Sequence, residues 1–272
     1  MGNDLLEAAI RPLVREYTGP VAAIQRTVHG DNSDLTAIVD CEKGPFFIKA
    51  VRDRPGGRRD SLLRERRIGA ALAGISPPLR WSVEADGWLV LGFEAVGGRS
   101  ADFAPGSPDL PRVVETIERI GRVPLPVFAQ DWHETRWDRF ASDGSEAELF
   151  RGDALLHTDI NPHNLLVAGP RMWAVDWAWP TRGAAFIDPA LLVVQLIAAG
   201  HPPEDAERWA SRIPAWHTAD RHAVTAFAAA TLRMHQAFAA RNPDAQWLKA
   251  MAEACRLWTA HREAASQRPR QT

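Results

Sequence analysis

The first hundred residues alternate between short apolar runs and polar turns. The spacing of apolar residues predicts an amphipathic helix over 4–17 and a strongly charged helix over 58–72. The remaining apolar runs are short and are bounded by Gly, Pro, Asn and Asp, which is typical of strands joined by turns. The five predicted strands are 21–28, 35–40, 46–51, 79–83 and 88–93.

Beyond residue 98 the spacing becomes mainly helical. The change of class coincides with the segment 94–98 and is followed by the Pro/Gly/Ser-rich stretch 105–108. We therefore expect an α+β protein with two domains, the first over 1–95 with five strands and one key helix, the second over 96–272. The helices predicted in the second domain are 110–120, 190–199, 220–240 and 244–264.

Composition is that of an ordinary soluble protein, with 46% hydrophobic and 24% charged residues among 272. The formal charge of −2 gives no basic excess, so no nucleic-acid partner is expected. Cys41 and Cys255 are too isolated for a disulfide framework or a metal knuckle. Since there is also no apolar run of membrane-spanning length and no signal-peptide core, we expect a cytoplasmic protein without membrane contact.

Polar side chains interrupt an apolar stretch at 155–167, which reads LLHTDINPHNLLV. His157, Asp159 and Asn164 form the pattern H-x-D-x4-N, and Asp176 follows a strand predicted at 172–175. An aspartate facing a hydroxyl can act as a base, while aspartate and asparagine oxygens suit a hard divalent cation. The pattern indicates magnesium-assisted phosphoryl transfer. The alternative is a hydrogen-bonded turn with Asx caps.

Two further charged residues occur in the order found in kinases. Lys49 follows the apolar residues FFI, and Glu65 is the only glutamate of the helix predicted over 58–72. Kinases use such a pair to hold phosphates. The alternatives are a solvated lysine at a strand end and, for Glu65, a charged helix face shared with the neighbouring arginines.

With these residues, the chain resembles the aminoglycoside phosphotransferase (APH)/choline kinase-like family, which shares the protein-kinase fold. The resemblance runs from about residue 21 to 192 and is most specific in HTDINPHNLL and AVDWAWPTRGAAFIDPALL, which are similar to the catalytic and metal-binding loops of that family. It implies a two-lobed protein-kinase-like fold, with a small antiparallel-sheet N-lobe and a mainly helical C-lobe. The N-lobe would bind nucleotide, and the C-lobe would carry both loops and the acceptor-binding helices.

The resemblance also implies roles for single residues. Asp159 would be the catalytic base, and Asn164 and Asp176 would be the Mg²⁺ ligands. Lys49 would contact the nucleotide phosphates, with Glu65 as its partner.

Other residues are expected near the nucleotide. Phe47 lies on the strand face of Lys49 and would stack on the base, although it could simply be a core residue. Phe93, Glu94 and Ala95 resemble the hinge that hydrogen-bonds adenine. Ser33, in a loop similar to the Gly-x-Ser-Asn form of small-molecule kinases, would bind phosphate.

Two residues are expected to support the catalytic loop. By the resemblance, His157 is a structural support and Asp188 braces the loop. Asp188 has an alternative interpretation as a helix N-cap, with Pro189 at the first helical position.

The implied reaction transfers the γ-phosphoryl group of ATP or GTP, with Mg²⁺, to a hydroxyl of an aminoglycoside-like antibiotic, an amino sugar or a related metabolite. Between residues 131 and 153 there are seven acidic residues against three arginines, which favours a cationic acceptor unless this is a solvated acidic face. The protein would be a monomer or a homodimer. A catalytically silent nucleotide-binding pseudokinase or scaffold is the alternative, and a protein kinase is disfavoured because only eleven residues separate Asp176 from Asp188.

Overall fold

A computed structural model describes residues 2–27 and 33–267 of the chain, in two units. The first comprises residues 1–99 and 173–179, and the second residues 100–172 and 180–272. Residues 28–32, which hold most of the loop predicted to contact phosphate, lie outside the described part.

An antiparallel five-stranded sheet forms the body of the first unit, with strands in the order β1-β2-β3-β5-β4. The five strands and both helices predicted for this part of the chain are present, and the second helix ends in a 3-10 turn over Gly69–Leu72. The elements are α1 (Gly2–Thr18), β1 (Val21–Arg26), β2 (Leu35–Cys41), β3 (Phe46–Arg52), α2 (Gly57–Ile68), β4 (Leu79–Ala85) and β5 (Trp88–Glu94).

The two faces of this sheet pack against different helices, because side chains alternate across a strand. On one face, Ile48 of β3 and Val90 of β5 join a core with Ile10 of α1. On the other, Val51 and Leu91 pack with Leu62 of α2. Lys49 falls on this second face by the same alternation.

Helices dominate the second unit, as the periodicity predicts. Its core includes Phe227, whose ring contacts those of Trp137, Phe150 and Phe186. The helices are α3 (Leu110–Gly121), α4 (Gly144–Glu148), α5 (Ile187–Ala198), α6 (Pro203–Ala210), α7 (Pro214–His217), α8 (Arg221–Arg241) and α9 (Gln246–Gln267). Together with the antiparallel sheet, they confirm the predicted α+β class.

In the part of the chain that the structure describes, five short strands flank the loops that carry the predicted catalytic and metal-binding residues. They are β6 (Arg99–Ser100), β7 (Ala154–Leu156), β8 (Leu165–Ala168), β9 (Arg171–Ala174) and β10 (Thr181–Gly183). The chain passes between the two units within β6, within β9 and again between Trp179 and Pro180. β7 and β10 pair antiparallel, with Leu156 opposite Thr181. Within the described residues, no helix combines the length and apolarity needed to cross a bilayer.

Candidate active site

A buried lysine between two carboxylates is the main charged feature of the first unit. Nζ of Lys49 donates to both carboxylate oxygens of Glu65, each at 2.9 Å, and to Oδ1 of Asp176 at 2.6 Å. Lys49 is 6% exposed and Glu65 5% exposed. Glu65 lies one helical turn after Leu62, so it shares the face of α2 that packs on the sheet. The alternatives of a solvated lysine and a solvated helix face are therefore wrong.

The charges in this cluster depend on one another. Burial acts to lower the pKa of Lys49, but the negative charges of Glu65 and Asp176 outweigh it and hold the pKa above that of an ordinary lysine. Burial raises the pKa of Glu65, while Lys49 and the backbone N–H of Trp177 act in the opposite direction. Both carboxylates therefore favour the protonated, cationic form of Lys49.

Asp176 reaches the cluster through an unusual backbone conformation. Its φ is +61°, which a residue other than glycine adopts at a cost of about 1–3 kcal/mol. The next residue, Trp177, is buried and anchors this turn through Nε1, which donates to the carbonyl of Ala174 at 3.1 Å. The carboxylate of Asp176 keeps 33% of its side-chain surface exposed.

In the second unit, the segment after β7 presents one acidic side chain to solvent. His157, Thr158 and Ile160 are buried, whereas Asp159 between them is exposed. The carboxylate of Asp159 accepts hydrogen bonds from Nδ2 of Asn161 at 3.0 Å and Nδ2 of Asn164 at 2.8 Å. These two amides fix the orientation of an otherwise solvent-facing carboxylate.

The Asx-type cap in this loop belongs to a residue other than the motif residues. Oδ1 of Asn161 accepts from the backbone N–H groups of His163 and Asn164, and thereby caps the 3-10 turn over Pro162–Asn164. Asp159 and Asn164 are not the caps that the simple turn interpretation required.

Asp188, which lies in α5, binds the backbone at the start of the same loop. Its Oδ2 accepts from the backbone N–H of His157 and its Oδ1 from that of Thr158, both at 2.8 Å. The alternative of an N-cap is wrong, because Phe186 occupies the cap position and Asp188 lies inside the first turn. Burial raises the pKa of Asp188, against the lowering effect of His157 and the two amides. Nδ1 of His157 accepts from the backbone N–H of Asp159 at 3.3 Å, which suits a supporting position.

Asp176 in the first unit and Asn164 in the second each carry an oxygen of a kind that suits Mg²⁺. A carboxylate and an amide oxygen are ligands that hard cations take, and Mg²⁺ is commonly held by few protein oxygens together with water and phosphates. Nδ2 of Asn164 is bonded to Asp159, which leaves Oδ1 as the acceptor of this amide. Within the described residues, no three His, Cys, Asp or Glu side chains form a metal-binding cluster by themselves.

The residues expected around the base of the nucleotide all lie in the first unit. The Phe47 and Phe93 rings are 6.4 Å apart on the face of the sheet that carries Lys49. The backbone N–H of Glu94 donates to the carbonyl of Pro78 and is therefore not free to bond the base of a nucleotide. Ala95 follows β5, and Ser33 begins the described chain before β2.

Several acidic side chains of the segment 131–153 are already paired with arginines within the second unit. Ion pairs join Asp138 to Arg151, Glu146 to Arg233, and Asp153 to Arg182. Asp143 caps α4, and Glu134 is buried. These pairings reduce the support that the excess of acidic residues gives to a polycationic acceptor.

One contact to the loop was missed from the sequence. The guanidinium of Arg136 donates through Nη1 to the carbonyl of Thr158 at 2.9 Å and through Nη2 to its hydroxyl at 3.0 Å. Thr158 directly precedes Asp159, yet no motif or spacing in the chain connects it with Arg136.

Comparisons with known proteins identify the fold. No family model and no curated protein matches the sequence. Among solved structures, a candidate aminoglycoside phosphotransferase from Ralstonia eutropha matches with a TM-score of 0.62 and 15% identity, over 97% of this chain and 98% of that one. The choline kinase from Streptococcus pneumoniae matches with a TM-score of 0.60 and 11% identity, over 96% and 97% of the two chains. The same kinase has been solved in complex with AMP.

A third structure is the GDP complex of an aminoglycoside 2'-phosphotransferase variant, with a TM-score of 0.56 and 13% identity over 96% of this chain and 99% of that one. These likenesses establish the fold, which is APH/choline kinase-like, and confirm the predicted resemblance at that level.

Proposed function

We propose that this protein is a Mg²⁺-dependent kinase that transfers the γ-phosphoryl group of ATP or GTP to a hydroxyl of a small molecule. The observation that carries the proposal is the Lys49 cluster. A buried lysine held by two carboxylates is costly to desolvate, and replacing such groups with apolar ones is often neutral or stabilising. Its presence in a fold shared with small-molecule phosphotransferases is best explained by a need for positive charge at the nucleotide phosphates.

In this proposal Asp159 receives the proton of the acceptor hydroxyl. Its side chain is exposed and is oriented by Asn161 and Asn164, which are the properties expected of a group that must meet a substrate. Asp176 and Asn164 would hold Mg²⁺, which when bound supplies charge neutralisation for the phosphates. Lys49, kept cationic by Glu65, would orient the same phosphates. Catalysis would come mainly from positioning and electrostatics.

Nucleotide binding is supported by the neighbouring structures with AMP and GDP, which come from a choline kinase and an aminoglycoside phosphotransferase. In this chain Phe47 would contact the base of the nucleotide, and Phe93, Glu94 and Ala95 would form the hinge. Ser33 would approach the phosphates. Both ATP and GTP belong in the assay.

For the acceptor we propose a hydroxylated small molecule such as an aminoglycoside-like antibiotic, an amino sugar or a related metabolite. The neighbours with this fold include both aminoglycoside phosphotransferases and a choline kinase. Because four of the seven acidic residues in segment 131–153 are paired with arginines, neutral polyols and nucleosides should be tested alongside cationic compounds.

The experiment measures phosphate transfer from ATP and GTP to such a panel, with Mg²⁺ present or chelated, for the parent protein, Asp159→Ala and Asp176→Ala. Asp159→Ala should bind nucleotide as the parent does and lose about 10²–10⁴-fold in kcat. Asp176→Ala should lose Mg²⁺-dependent binding of nucleotide as well as turnover. Asp244→Ala, at an exposed position after α8, is the control and should behave as the parent.

Full turnover by Asp159→Ala would remove that residue from its role. Nucleotide binding by the parent without phosphorylation of any acceptor would favour the nucleotide-binding pseudokinase or scaffold.

A further inference from the structure

Thr158 has a backbone conformation that its side chain opposes. Its φ is +63°, and for a β-branched residue a positive φ is a genuine outlier. Such a conformation persists only where the surroundings impose it. Because Thr158 immediately precedes Asp159, its backbone angles set the direction in which the Asp159 side chain leaves the loop.

Contacts from two directions impose this conformation. The carboxylate of Asp188 accepts the N–H groups of His157 and Thr158, and so fixes the N-terminal side of the strained residue. The guanidinium of Arg136 fixes the other side, since its two terminal nitrogens bind the Thr158 carbonyl and hydroxyl at 2.9 and 3.0 Å. A planar guanidinium that binds both atoms restrains the peptide plane and the side chain together.

Contacts outside the loop hold Arg136 in place. Its backbone N–H donates to Oε1 of Glu134 at 2.6 Å, and Oε2 of that buried carboxylate accepts from Thr181 of β10 at 2.9 Å. Its guanidinium also lies 5.1 Å from the centre of the Trp137 ring. Because β10 pairs with β7, whose end leads into the loop, the sheet brings Arg136 beside Thr158.

We propose that Arg136 is a positioning residue for phosphoryl transfer, which acts by holding the strained Thr158 backbone so that Asp159 is presented to the acceptor. This inference rests on the proposed function and adds to it a residue outside the H-x-D-x4-N motif. Arg136 does not have to touch either substrate. Its effect reaches the reaction through the orientation of Asp159.

A merely structural role predicts a different result from a positioning role. If Arg136 only stabilised the fold, its removal would reduce the fraction of folded protein while each folded molecule kept its kcat. A positioning role predicts a lower kcat in folded protein, with the KM for nucleotide and acceptor nearly unchanged, since misplacement by about 1 Å can cost 10²-fold in rate.

The test compares the parent with Arg136→Ala, Arg136→Lys and the control Arg139→Ala, using the acceptor that the parent phosphorylates. Arg139 lies three residues further on, is exposed, and packs its guanidinium over Phe140. Arg136→Ala should lose about 10²-fold in kcat with KM values within about twofold of the parent. Arg136→Lys should be intermediate, because one ammonium cannot reproduce the planar fork, and Arg139→Ala should match the parent.

Two further measurements keep the proposal falsifiable even if Arg136→Ala folds poorly. Millimolar guanidinium chloride, but not sodium chloride, should restore part of the kcat of Arg136→Ala by filling the vacated site. Glycine adopts a positive φ without strain, so adding Arg136→Ala to Thr158→Gly should reduce kcat by less than about tenfold, compared with the roughly 10²-fold loss in the parent background.

If Arg136→Ala lowered kcat equally in both backgrounds, or changed only KM, the positioning role would be overturned while the proposed function stayed intact. A parent protein that phosphorylates no acceptor would overturn both.

Discussion

The ammonium of Lys49 lies 2.9 Å from each carboxylate oxygen of Glu65, and both side chains are almost fully buried. The other side chains on that face of the sheet are mainly apolar, so the pair places two charges out of contact with water in apolar surroundings. Such a pair contributes weakly to stability as a whole, but each member depends strongly on the other.

Glu65→Ala should therefore destabilise the protein, by less than the roughly 3–5 kcal/mol expected for a fully unpaired buried charge, because Lys49 keeps Asp176 as its remaining carboxylate. Urea unfolding measures the loss. Glu84→Ala, which removes an exposed partner of Arg59 and Arg66, is the control and should change stability by less than about 1 kcal/mol.

The double variant Lys49→Met/Glu65→Leu should recover most of the stability lost in Glu65→Ala, because it replaces both charges with apolar side chains of similar size. It should nevertheless show no nucleotide-dependent phosphorylation. Recovered stability with retained activity would mean that the pair serves neither nucleotide binding nor catalysis.

Asp188→Ala should destabilise the protein by about 2–5 kcal/mol, because the buried N–H groups of His157 and Thr158 would both lose their acceptor. Asp188→Asn should recover only part of this, since its amide has one oxygen for two donors. Both stabilities can be measured by urea unfolding. Asp205→Ala, which breaks an exposed pair with Arg208 on α6, is the matched control, and a loss equal to that of Asp188→Ala would contradict the explanation.

The burial of His235 in α8 predicts a loss of stability in mild acid. Burial lowers the pKa of His235, and its Nδ1 has no hydrogen-bond partner among the described residues. Above the ordinary histidine pKa of about 6.5 both states are neutral and the group has no effect. As the pH falls below that value, the unfolded chain takes up a proton that the folded one resists, so stability falls by at most about 1.4 kcal/mol per pH unit.

The measurement is the free energy of unfolding at several pH values between about 7 and 5. This range brackets the ordinary histidine pKa of about 6.5. His235→Gln should flatten this dependence, whereas His222→Gln, an exposed position on the same helix, should retain it. A slope that is the same in all three proteins would assign the acid sensitivity to other groups.

Replacing Gly92 of β5 with alanine should destabilise the protein. A Cβ at this position would overlap the ring of Trp81, which lies over β5 and stacks on Tyr17 with ring centres 5.2 Å apart. Displacing a buried indole in this way should cost about 1–3 kcal/mol in unfolding experiments. Gly97→Ala, whose Cβ would meet no described atom within 4 Å, should be nearly neutral. Trp81→Phe/Gly92→Ala should recover part of the loss if the overlap is its cause.

The sequence alone was sufficient for the order and type of the main elements. Short apolar runs bounded by turn residues predicted all five strands of the first sheet, and helical spacing predicted the long helices with boundaries that differ by a few residues. Local periodicity is enough for this, because each strand or helix buries one face of its own side chains. The spacing of His157, Asp159 and Asn164 likewise led to the proposal of a catalytic loop before any contact was known.

Only the tertiary structure decided which charges meet. That Lys49 pairs with Glu65 rather than with solvent depends on the packing of α2 on β3, and the charge pattern of α2 by itself would equally allow a solvated face. The N-cap interpretation of Asp188 failed for the same reason, since its carboxylate binds amides some thirty residues earlier in the chain. No sequence pattern pointed to Arg136. Its contact with the Thr158 backbone, 22 residues away, forms in the folded chain, where β10 pairs with β7. Periodicity is a property of neighbouring residues, whereas these contacts join segments that only the folded chain brings together.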